Sequence, residues 1–542
     1  MQIVNKSPVE PGRRNFRLPF RLTGAALVLW GTAVLVAAAL LLPVIYLTIR
    51  AIGAGGEAWQ GLLRLRTLET VARTVWLALA VTGASAVIAV PLAWLTTRTD
   101  LPLRRLWAVL TPLPLVIPSY VGAYLFVSAF GPRGMLQQLL EPLFGVTRLP
   151  EIYGFPGALL ALTLLSYPYT LLTVRAALSK MDPALEEASR SLGQDAWTTF
   201  WRVTMPLLRP ALGAGCLLTA LYVLRDFGAV AIMRYNTFTR VMYVSYTSFD
   251  RSQAALLALV LVAITLFFLA LEARVMSQAR HFQSAAGPMR PTTLVALGFW
   301  KWPALIFCGT VVSTSLVLPA GLLFYWLVRG LSAGEALPRL ELAMWNSVLA
   351  SGLGAIAIVL AALPVAILVV RQPGRITRLL ERLTYSTFAL PGIVIALALV
   401  FFGANHAPWL YQTLPMLLLA YGILFLPQAV GSVRTSLLQI HPNLEEAARS
   451  LGRSPLQAFF GVTFPLLRPG LAAGASLAFL TIMKELPATL ILAPIGFKTL
   501  ATGVWSAVSE AFFAQAAAPA LLIVLMSSLP MTFFILNEQR ID

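Results

Sequence analysis

Long apolar segments alternate with short polar segments along the whole chain. Twelve windows are apolar over about 20 residues or more, which is enough for a helix to cross the hydrocarbon core of a bilayer. They fall near residues 24–48, 70–97, 108–130, 156–178, 208–233, 253–273, 295–328, 342–370, 384–404, 410–433, 467–493 and 515–537. The pattern predicts an all-α polytopic membrane protein with about 12 transmembrane helices.

Composition supports this interpretation, and charge orients the chain. The 542 residues are 58% hydrophobic and only 11% charged, which leaves too little polar surface to cover a water-soluble protein. Lys and Arg number 40; with the N-terminus inside, 26 of them fall in cytoplasmic segments and 11 in outer segments. This bias follows the positive-inside rule. We therefore expect a multi-pass protein with both termini in the cytoplasm and no nucleic-acid partner.

Several kinds of chemistry lack matching residues. Cys216 and Cys308 each lie alone in an apolar run, and three histidines are too few and too scattered for a metal cage. The spans offer no cluster of nucleophile, base and metal ligands for an embedded enzyme. No lysine follows a glycine, so a GxxxxGK[ST] phosphate-binding loop is absent. The sequence predicts a protein that is not an enzyme and has no assigned metal site.

The chain contains an internal repeat with a constant offset between its two copies. Residues 183–210 read PALEEASRSLGQDAWTTFWRVTMPLLRP and residues 442–469 read PNLEEAARSLGRSPLQAFFGVTFPLLRP, with 17 identities in 28 positions. The match continues upstream to Arg175 and Arg434. Each half contains six of the twelve predicted spans. Because six is an even number, both halves enter and leave the membrane on the same face, so they are related by an axis along the membrane normal. Such a bundle is typical of transport proteins, and an ion-gradient-driven secondary transporter remains an alternative class.

The repeat also divides the chain into segments. We predict a cytoplasmic tail over 1–22, a first six-span repeat over 23–280, a cytoplasmic linker over 281–294 and a second six-span repeat over 295–542. The repeated loop lies on the cytoplasmic side, between the fourth and fifth spans of each half, over 180–209 and 439–468.

Each repeated loop predicts a helix, a glycine bend and a second short helix. In the first loop, Asp182 and Pro183 open the helix, Gly193 ends it, and Asp195 caps the next one. A plain linker has no reason to keep the same residues in both halves of a diverged duplication. The loops therefore predict a symmetric or pseudo-symmetric partner below the membrane.

The second loop follows the same plan with different capping residues. Pro442 opens its helix, Gly452 ends it, and residues 454–457 form a capping box. In both loops a glutamate precedes an arginine by one helical turn, which predicts an ion pair within each first helix. The predicted pairs are Glu186 with Arg190 and Glu445 with Arg449.

The two loops resemble the EAA motif of bacterial ABC importer permeases. Residues 187–189 read EAS, with Gly193 and then VTMP at 203–206; the second copy has EAA, Gly452 and VTFP at the same spacing. The resemblance implies the type I ABC importer permease fold, with coupling helices that dock on a homodimer of ATPase subunits. It implies these coupling residues: Glu186, Glu187, Ala188, Gly193, Glu445, Glu446, Ala447 and Gly452. ATP and Mg then bind to the partner subunits, and this chain holds no cofactor.

Two further segments are similar to ferric iron permeases of this family. They run from Asp226 to Arg240 and from Lys484 to Thr502, and the fused twelve-span layout is similar too. The resemblance implies ferric iron import across the bacterial inner membrane, among membrane lipids, from a periplasmic substrate-binding protein. The outer loops near 49–69 and 131–155 are too short to form a capture domain. Thiamine and aminophosphonate permeases share the plan and remain alternatives.

Matched charges inside the membrane are candidates for the translocation path. Arg225 and Asp226 correspond, at the offset of the repeat, to Lys484 and Glu485, and each pair lies late in the fifth span of its half. Because charge at the centre of a bilayer is costly, such residues are functional candidates by default. We predict that the two carboxylates line the path and compensate a cation. Salt bridges that lock the bundle are the alternative.

Tyrosines near these charges extend the hypothesis. Fe(III) prefers oxygen ligands, and Tyr222, Tyr235 and Tyr243 lie close to Asp226 in sequence. Tyrosines at span ends are more often interfacial residues, so an interfacial role is the alternative.

Overall fold

The computed structural model describes residues 24–53, 55–56, 59–60, 64–179, 181–248, 251–279, 294–334, 340–387 and 390–538. Apart from one isolated bridge between Thr99 and Val295, every regular element in these ranges is a helix. The predicted tail over 1–22 lies outside the described residues, as does the predicted linker over 281–294 except for residue 294.

The first half forms helices both in the apolar windows and in the segments between them. They are α1 (Gly24–Ile52), α2 (Leu65–Arg98), α3 (Arg104–Leu110), α4 (Ser119–Phe130), α5 (Met135–Phe144), α6 (Phe155–Ser179), α7 (Ala184–Ser191), α8 (Ala196–Thr199), α9 (Met205–Arg225), α10 (Gly228–Ile232), α11 (Phe238–Thr247) and α12 (Arg251–Ala279). A π-helical turn, Phe200–Thr204, joins α8 to α9.

The second half largely repeats this order, but within the described residues it begins with two helices instead of one and has no counterpart of α5. Its helices are α13 (Lys301–Val312), α14 (Leu318–Ser332), α15 (Leu340–Arg371), α16 (Arg375–Thr387), α17 (Gly392–His406), α18 (Leu414–Gln439), α19 (Asn443–Ser450), α20 (Pro455–Ala458), α21 (Phe464–Met483), α22 (Pro487–Leu492), α23 (Leu500–Ser509) and α24 (Phe513–Glu538). A π-helical turn at Phe459–Thr463 occupies the position that corresponds to Phe200–Thr204 in the repeat.

The all-α polytopic fold class is confirmed, and the spans differ from the windows in their continuity. Within the described residues, nine helical runs are long and apolar enough to cross a membrane, or eleven if two bent pairs each count as one span. The bends measure 99° before Ser119 and 106° before Gly392. The windows 108–130 and 384–404 are therefore broken rather than straight. Pro118 and Pro391 explain this, because proline has no N–H to donate and disfavours a helical residue before it.

The windows 208–233 and 467–493 are interrupted as well. α9 ends at Arg225 and α21 ends at Met483, and a short helix follows each break. Non-helical backbone at membrane depth is tolerated only where it is buried in protein or lines a cavity. Residues at all four breaks, two in each half, line one cavity between the halves.

The two halves interlock through their first spans. α1 packs against α15 and α17 of the second half as well as against α12 of its own half. In return, Ala304 and Cys308 of α13 join a core cluster with residues of α2 and α6. The Trp326 indole N–H of α14 donates to the Ser128 hydroxyl at 2.7 Å. These crossings hold the halves around one shared central region.

Candidate functional site

The two repeated loops fold as the sequence predicts, with one helix, a bend and a second short helix. α7 and α19 are the first helices, and Gly193 and Gly452 follow them with φ of +83° and +85°. This left-handed conformation is strained for residues with a side chain, which explains glycine at both positions. The Asp195 side chain caps α8, and Ser454 and Gln457 form the predicted capping box on α20.

The Asp195 carboxylate is exposed at the start of α8. The Thr198 side chain and backbone N–H both interact with it, and these interactions hold the pKa of Asp195 below its usual value. The negative charge therefore stays on the helix N-terminus, where it is favourable.

The first glutamate of each loop does not pair within its own helix, so that prediction is wrong. Glu186 faces Arg98 at the end of α2, with 3.9 Å between Oε2 and Nη1, rather than Arg190. Its Oε1 accepts a hydrogen bond of 2.7 Å from the Thr204 hydroxyl. α7 packs against the π-helical turn Phe200–Thr204, and the Glu186 side chain is buried there. Buried partners override the helical spacing rule, which applies to exposed helix faces.

The second loop repeats this anchor. Glu445 lies 3.7 Å from Arg371 at the end of α15 and accepts a hydrogen bond from Thr463, instead of pairing with Arg449. The partners Thr204 and Thr463 both end π-helical turns. Each loop is thus tied to two spans of its own half.

The remaining predicted coupling residues lie on the outer side of the loops. Glu187, Glu446, Ala188 and Ala447 are exposed. Ser189 and its counterpart Ala448 are buried instead, and Ser189 shares a 3.0 Å hydrogen bond with Thr199.

Exposed apolar side chains accompany the glutamates, and sequence reasoning missed them. Leu192 and Leu451, beside the glycine bends, are 83% and 85% exposed. Three more pairs are exposed at matching positions of the two copies: Leu185 with Leu444, Trp197 with Leu456, and Trp201 with Phe460. The repeat itself carried this signal, because each position is apolar in both copies although the residue type can change. The loops therefore present the same apolar surface twice.

A cavity of about 220 Å³ lies where the broken spans meet. All four predicted path residues line it: Arg225, Asp226, Lys484 and Glu485. Residues beside both prolines line it too, including Ser119 and Gly392. The structure thus brings together residues of both halves that are far apart in sequence.

The two carboxylates of the cavity cap short helices. Asp226 Oδ1 accepts from the backbone N–H groups of Ala229 and Val230 at 2.9 and 3.3 Å. Glu485 accepts from the N–H groups of Ala488 and Thr489, both at 3.0 Å, and from the Thr489 hydroxyl. These bonds satisfy donors at the starts of α10 and α22 that no helical carbonyl can reach.

The two bases reach toward the opposite half. Lys484 Nζ donates to the Leu115 carbonyl of the first half at 3.0 Å. Arg225 of the first half interacts electrostatically with Glu485 of the second half and with Tyr169 and Tyr222 of its own half. The matched base–acid pairs therefore connect the two repeats across the cavity.

The predicted tyrosines do not form one group. Tyr222 lines the cavity, but the Tyr235 hydroxyl donates to the Arg73 carbonyl at 3.3 Å and Tyr243 packs on Phe227. The structure adds Tyr120 and Tyr169 to the lining. No charged motif marks either residue, so sequence reasoning had no means of choosing them. Among the described residues, no three His, Cys, Asp or Glu side chains are grouped closely enough to hold a metal ion.

Two interlocked repeats that flank a central cavity and present the same loop twice define a membrane permease. The family model of the binding-protein-dependent transport system inner membrane component matches residues 85–283 and 354–542. The chain belongs to this family of ABC importer permeases, and it is a multi-span membrane protein.

Relatives of known name support this membership. The chain is 36% identical to the Fe(3+)-transport system permease protein FbpB 2 of Haemophilus influenzae, covering 92% of this chain and 96% of that protein. It is 26% identical to the ferric transport system permease protein FbpB of Actinobacillus pleuropneumoniae, over 84% of this chain and 69% of the relative. The molybdenum transport system permease protein ModB of Escherichia coli is 33% identical over 33% of this chain and 79% of that protein.

Proposed function

We propose that this chain is the translocation subunit of an ATP-driven importer that carries ferric iron into a bacterial cell. A periplasmic binding protein delivers the cargo, and a homodimer of ATPase subunits drives transport from the cytoplasmic face. The twin loops carry this proposal, because a surface displayed twice with pseudo-twofold symmetry fits a twofold partner. ATP and Mg are held by the ATPase subunits, and this chain contributes no cofactor.

The proposed orientation has both termini in the cytoplasm of a cell whose inner membrane holds the protein. The excess of bases in the segments assigned to the inside supports it. Cysteine labelling of an exposed loop residue tests it: Leu192→Cys in intact cells is expected to react only with a membrane-permeant reagent. Labelling by an impermeant reagent contradicts this orientation.

Transport is proposed to work by alternating access. Closure of the ATPase dimer moves the two loops together, and the Glu186–Arg98 and Glu445–Arg371 contacts pass this movement to α2 and α15. The Thr204 and Thr463 hydrogen bonds pass it to α9 and α21. Those helices end at the cavity, so a movement at the loops alters the breaks at Asp226 and Glu485.

The energy source can be tested directly. Proteoliposomes that contain the permease and its ATPase subunits are expected to take up ⁵⁵Fe from the loaded binding protein only when ATP is supplied. The variants Leu192→Asp and Leu451→Asp place a charge in the apolar loop surface, and each is expected to weaken ATPase binding roughly tenfold. Uptake by the permease alone, abolished by an ionophore, supports the ion-gradient alternative instead.

The names of the relatives support ferric iron as cargo, and those relatives cover most of this chain. Thiamine and aminophosphonates remain alternative cargoes, and the name of one relative adds molybdenum to the comparison. Competition for uptake in a strain that lacks this gene tests the assignment. We expect complementation to restore ferric iron uptake, with no competition from excess thiamine or aminophosphonate.

Asp226, Glu485, Arg225 and Lys484 are proposed to line the translocation path. Their position around one cavity between the halves supports this role. Neutralising both carboxylates, as Asp226→Asn with Glu485→Gln, is expected to abolish uptake while the protein still folds and binds its ATPase. Normal uptake by the folded variant would remove these residues from the path and leave them a structural role in locking the bundle.

A further inference from the structure

We propose that α16 (Arg375–Thr387) lies along the membrane interface and binds an anionic phospholipid. Three arginines of this helix hold the phosphate of the headgroup, and exposed apolar side chains beside them contact the acyl chains. This inference goes beyond the proposed transport function, because it concerns the outside of the helical bundle and does not depend on the cargo.

α16 lies at the same end of the bundle as the repeated loops. It begins shortly after α15 ends at Arg371, which lies 3.7 Å from Glu445 of the second loop. Glu381 of α16 lies 3.4 Å from Arg434, near the end of α18 that leads into the same loop. Because α15 and α18 are long enough to cross a membrane, a helix at their ends lies near the headgroups of the bilayer.

One side of α16 is buried against three other helices. Thr377, Leu380, Thr384 and Thr387 are buried, and α16 packs on α1, α15 and α18. α1 is a peripheral span, since only 17% of its most apolar window is buried among the described residues. α16 therefore lies beside a helix whose exposed apolar side chains face lipid.

The outward side of α16 carries a basic strip next to an apolar strip. Successive residues of an α-helix are rotated by about 100°, so Arg375, Arg378 and Arg382 share a strip about 60° wide. All three are exposed. Ile376 and Leu379, which are 68% and 67% exposed, lie between these arginines and the buried face. This order of buried, apolar and basic strips is typical of a helix that lies along a bilayer with its bases at headgroup level.

The three arginines of the basic strip have no carboxylate partner among the described residues. Glu381 is the only acidic residue of α16, and it faces Arg434 instead. Arg378 uses one of its five N–H donors on the Gly374 carbonyl, at 3.1 Å from Nε. Because the guanidinium fork matches the geometry of a phosphate group, this strip complements an anionic headgroup.

The apolar strip repeats in the first half. When the halves are aligned on the arginines that end α2 and α15, Leu103 and Leu106 match Ile376 and Leu379. The two first-half leucines are also exposed, at 69% and 47%. Both segments therefore present apolar side chains at the ends of membrane spans, where the bilayer is the apolar surroundings that they share.

The basic strip does not repeat. Arg105 matches Arg378, but Pro102 and Val109 occupy the positions of the other two arginines. The adjacent Arg104 is only partly exposed and matches a position on the buried face of α16. A symmetric pair of ATPase subunits would meet equivalent surfaces in both halves, so a basic strip in one half favours a lipid as its partner.

Native mass spectrometry of the full chain in a neutral detergent tests the proposal. The protein is titrated with phosphatidylglycerol or with phosphatidylcholine of the same acyl chains, and the Kd of the first bound lipid is measured. We expect phosphatidylglycerol to bind about tenfold more tightly. Arg375→Gln and Arg382→Gln are each expected to raise its Kd about fivefold, and Leu379→Ser is expected to weaken the binding of both lipids.

Arg105→Gln is the matched control, because it removes an exposed arginine at the repeat position that lacks the other two. We expect it to leave the Kd of phosphatidylglycerol unchanged. The substituted side chains are exposed, and thermal unfolding in the same detergent checks that each variant is folded.

Three results would overturn the lipid site: equal binding of the two lipids, wild-type binding by the double variant Arg375→Gln with Arg382→Gln, or an equal loss in Arg105→Gln. If the double variant binds lipid normally but loses its ATPase subunits, the basic strip belongs to that partner and the proposal is wrong. Cargo uptake plays no part in these measurements, so a failure of the proposed transport function leaves the lipid site standing.

Discussion

The two halves of the molecule agree at the repeated loops and diverge elsewhere. In the loops, the anchor of Glu186 on Arg98 and Thr204 has a residue-for-residue counterpart in Glu445, Arg371 and Thr463. The exposed apolar positions also repeat at one offset. A surface preserved twice is what a twofold partner below the membrane requires.

At the cavity both halves have a carboxylate that caps the following helix, but the residues differ. Asp226 lies beside Ser119 in the first half, whereas the longer Glu485 lies beside Gly392 in the second. Both carboxylates cap the helix that follows. A β-carbon on Gly392 would meet Glu485 Oε1 at 2.8 Å, so the longer acid occupies the space that the serine side chain fills in the first half.

Beyond the cavity the symmetry is lost. In the first half, α4 is followed after a four-residue break by a further helix, α5, whereas α17 is followed by residues that form no helix before α18. The next helices, α6 and α18, begin at matching positions of the repeat, so α5 has no counterpart in the second half. The loops are alike in the two halves, whereas the segments after α4 and α17 differ. This contrast indicates a constraint that acts equally on both loops and does not act on those segments.

The largest effect is expected from replacing the arginines that face the loop glutamates, Arg98 and Arg371. Arg98 is 2% exposed and also donates to the carbonyls of Leu178 and Met181, whereas Arg371 is 18% exposed. Breaking a buried ion pair costs about 3–5 kcal/mol and breaking a fully exposed pair about 1 kcal/mol or less, so the half-buried pair of Arg371 and Glu445 is expected to fall between the two. We expect Arg98→Met to destabilise the protein strongly and Arg371→Met to do so mildly, as measured by thermal unfolding in detergent. Equal losses would contradict the difference in burial.

Substitution of Gly193 and Gly452 tests whether the two loops contribute equally to coupling. No atom lies within 4 Å of a β-carbon built on Gly193 or Gly452, so the cost of a side chain comes from the positive φ alone. That cost is about 1–2 kcal/mol for an ordinary residue and less for asparagine. We expect Gly193→Val and Gly452→Val to lower uptake relative to ATP hydrolysis, with Asn milder at both positions. Unchanged transport in both Val variants would falsify the coupling role.

In the first half Ser119 lies beside Asp226, and in the second half Gly392 lies beside Glu485. Replacing the second pair with the residues of the first tests whether the size of the acid compensates for the size of its neighbour. Gly392→Ser alone is expected to clash with Glu485, and Glu485→Asp alone is expected to weaken the cap on α22. The double variant recreates the first-half arrangement. Because contacting residues are not additive, the double-mutant cycle is expected to give a favourable coupling of about 1 kcal/mol in thermal unfolding. Additive effects would show that Ser119 and Gly392 are unrelated to the acids beside them.

The sequence predicted what depends on period and repetition, and missed what depends on packing. Hydropathy located the spans, and the offset of the repeat located the loops, because both signals are local or duplicated. The partner of Glu186 is Arg98, in a different span and far away in sequence, and no local spacing reveals it. Tyr120 has no charged neighbour or repeated counterpart to mark it. The breaks beside Asp226 and Glu485 escaped detection because the apolar windows continue through them.

The smallest expected effect concerns a contact that only the first half makes. Asp100, after α2, accepts the Leu297 N–H at 2.8 Å and pairs with Lys301 at 3.0 Å, at the start of the second half. When the chain is aligned on the matched arginines Arg98 and Arg371, the counterpart of Asp100 is Pro373, which has no carboxylate. Asp100 therefore joins the halves from one side only.

This contact predicts a specific pH dependence. The Leu297 N–H and the Lys301 side chain lower the pKa of Asp100 from its ordinary value of 3.8. A lowered folded-state pKa stabilises the fold above the unfolded-state pKa, and this contribution is lost as the pH falls through the folded-state value. We expect Asp100→Asn to lower the melting temperature slightly and by the same amount from pH 7 to pH 5. The difference should shrink only below about pH 4. A difference that already disappears near pH 6 would point to a histidine and would exclude Asp100 as the titrating group, because its lowered pKa keeps it ionised there.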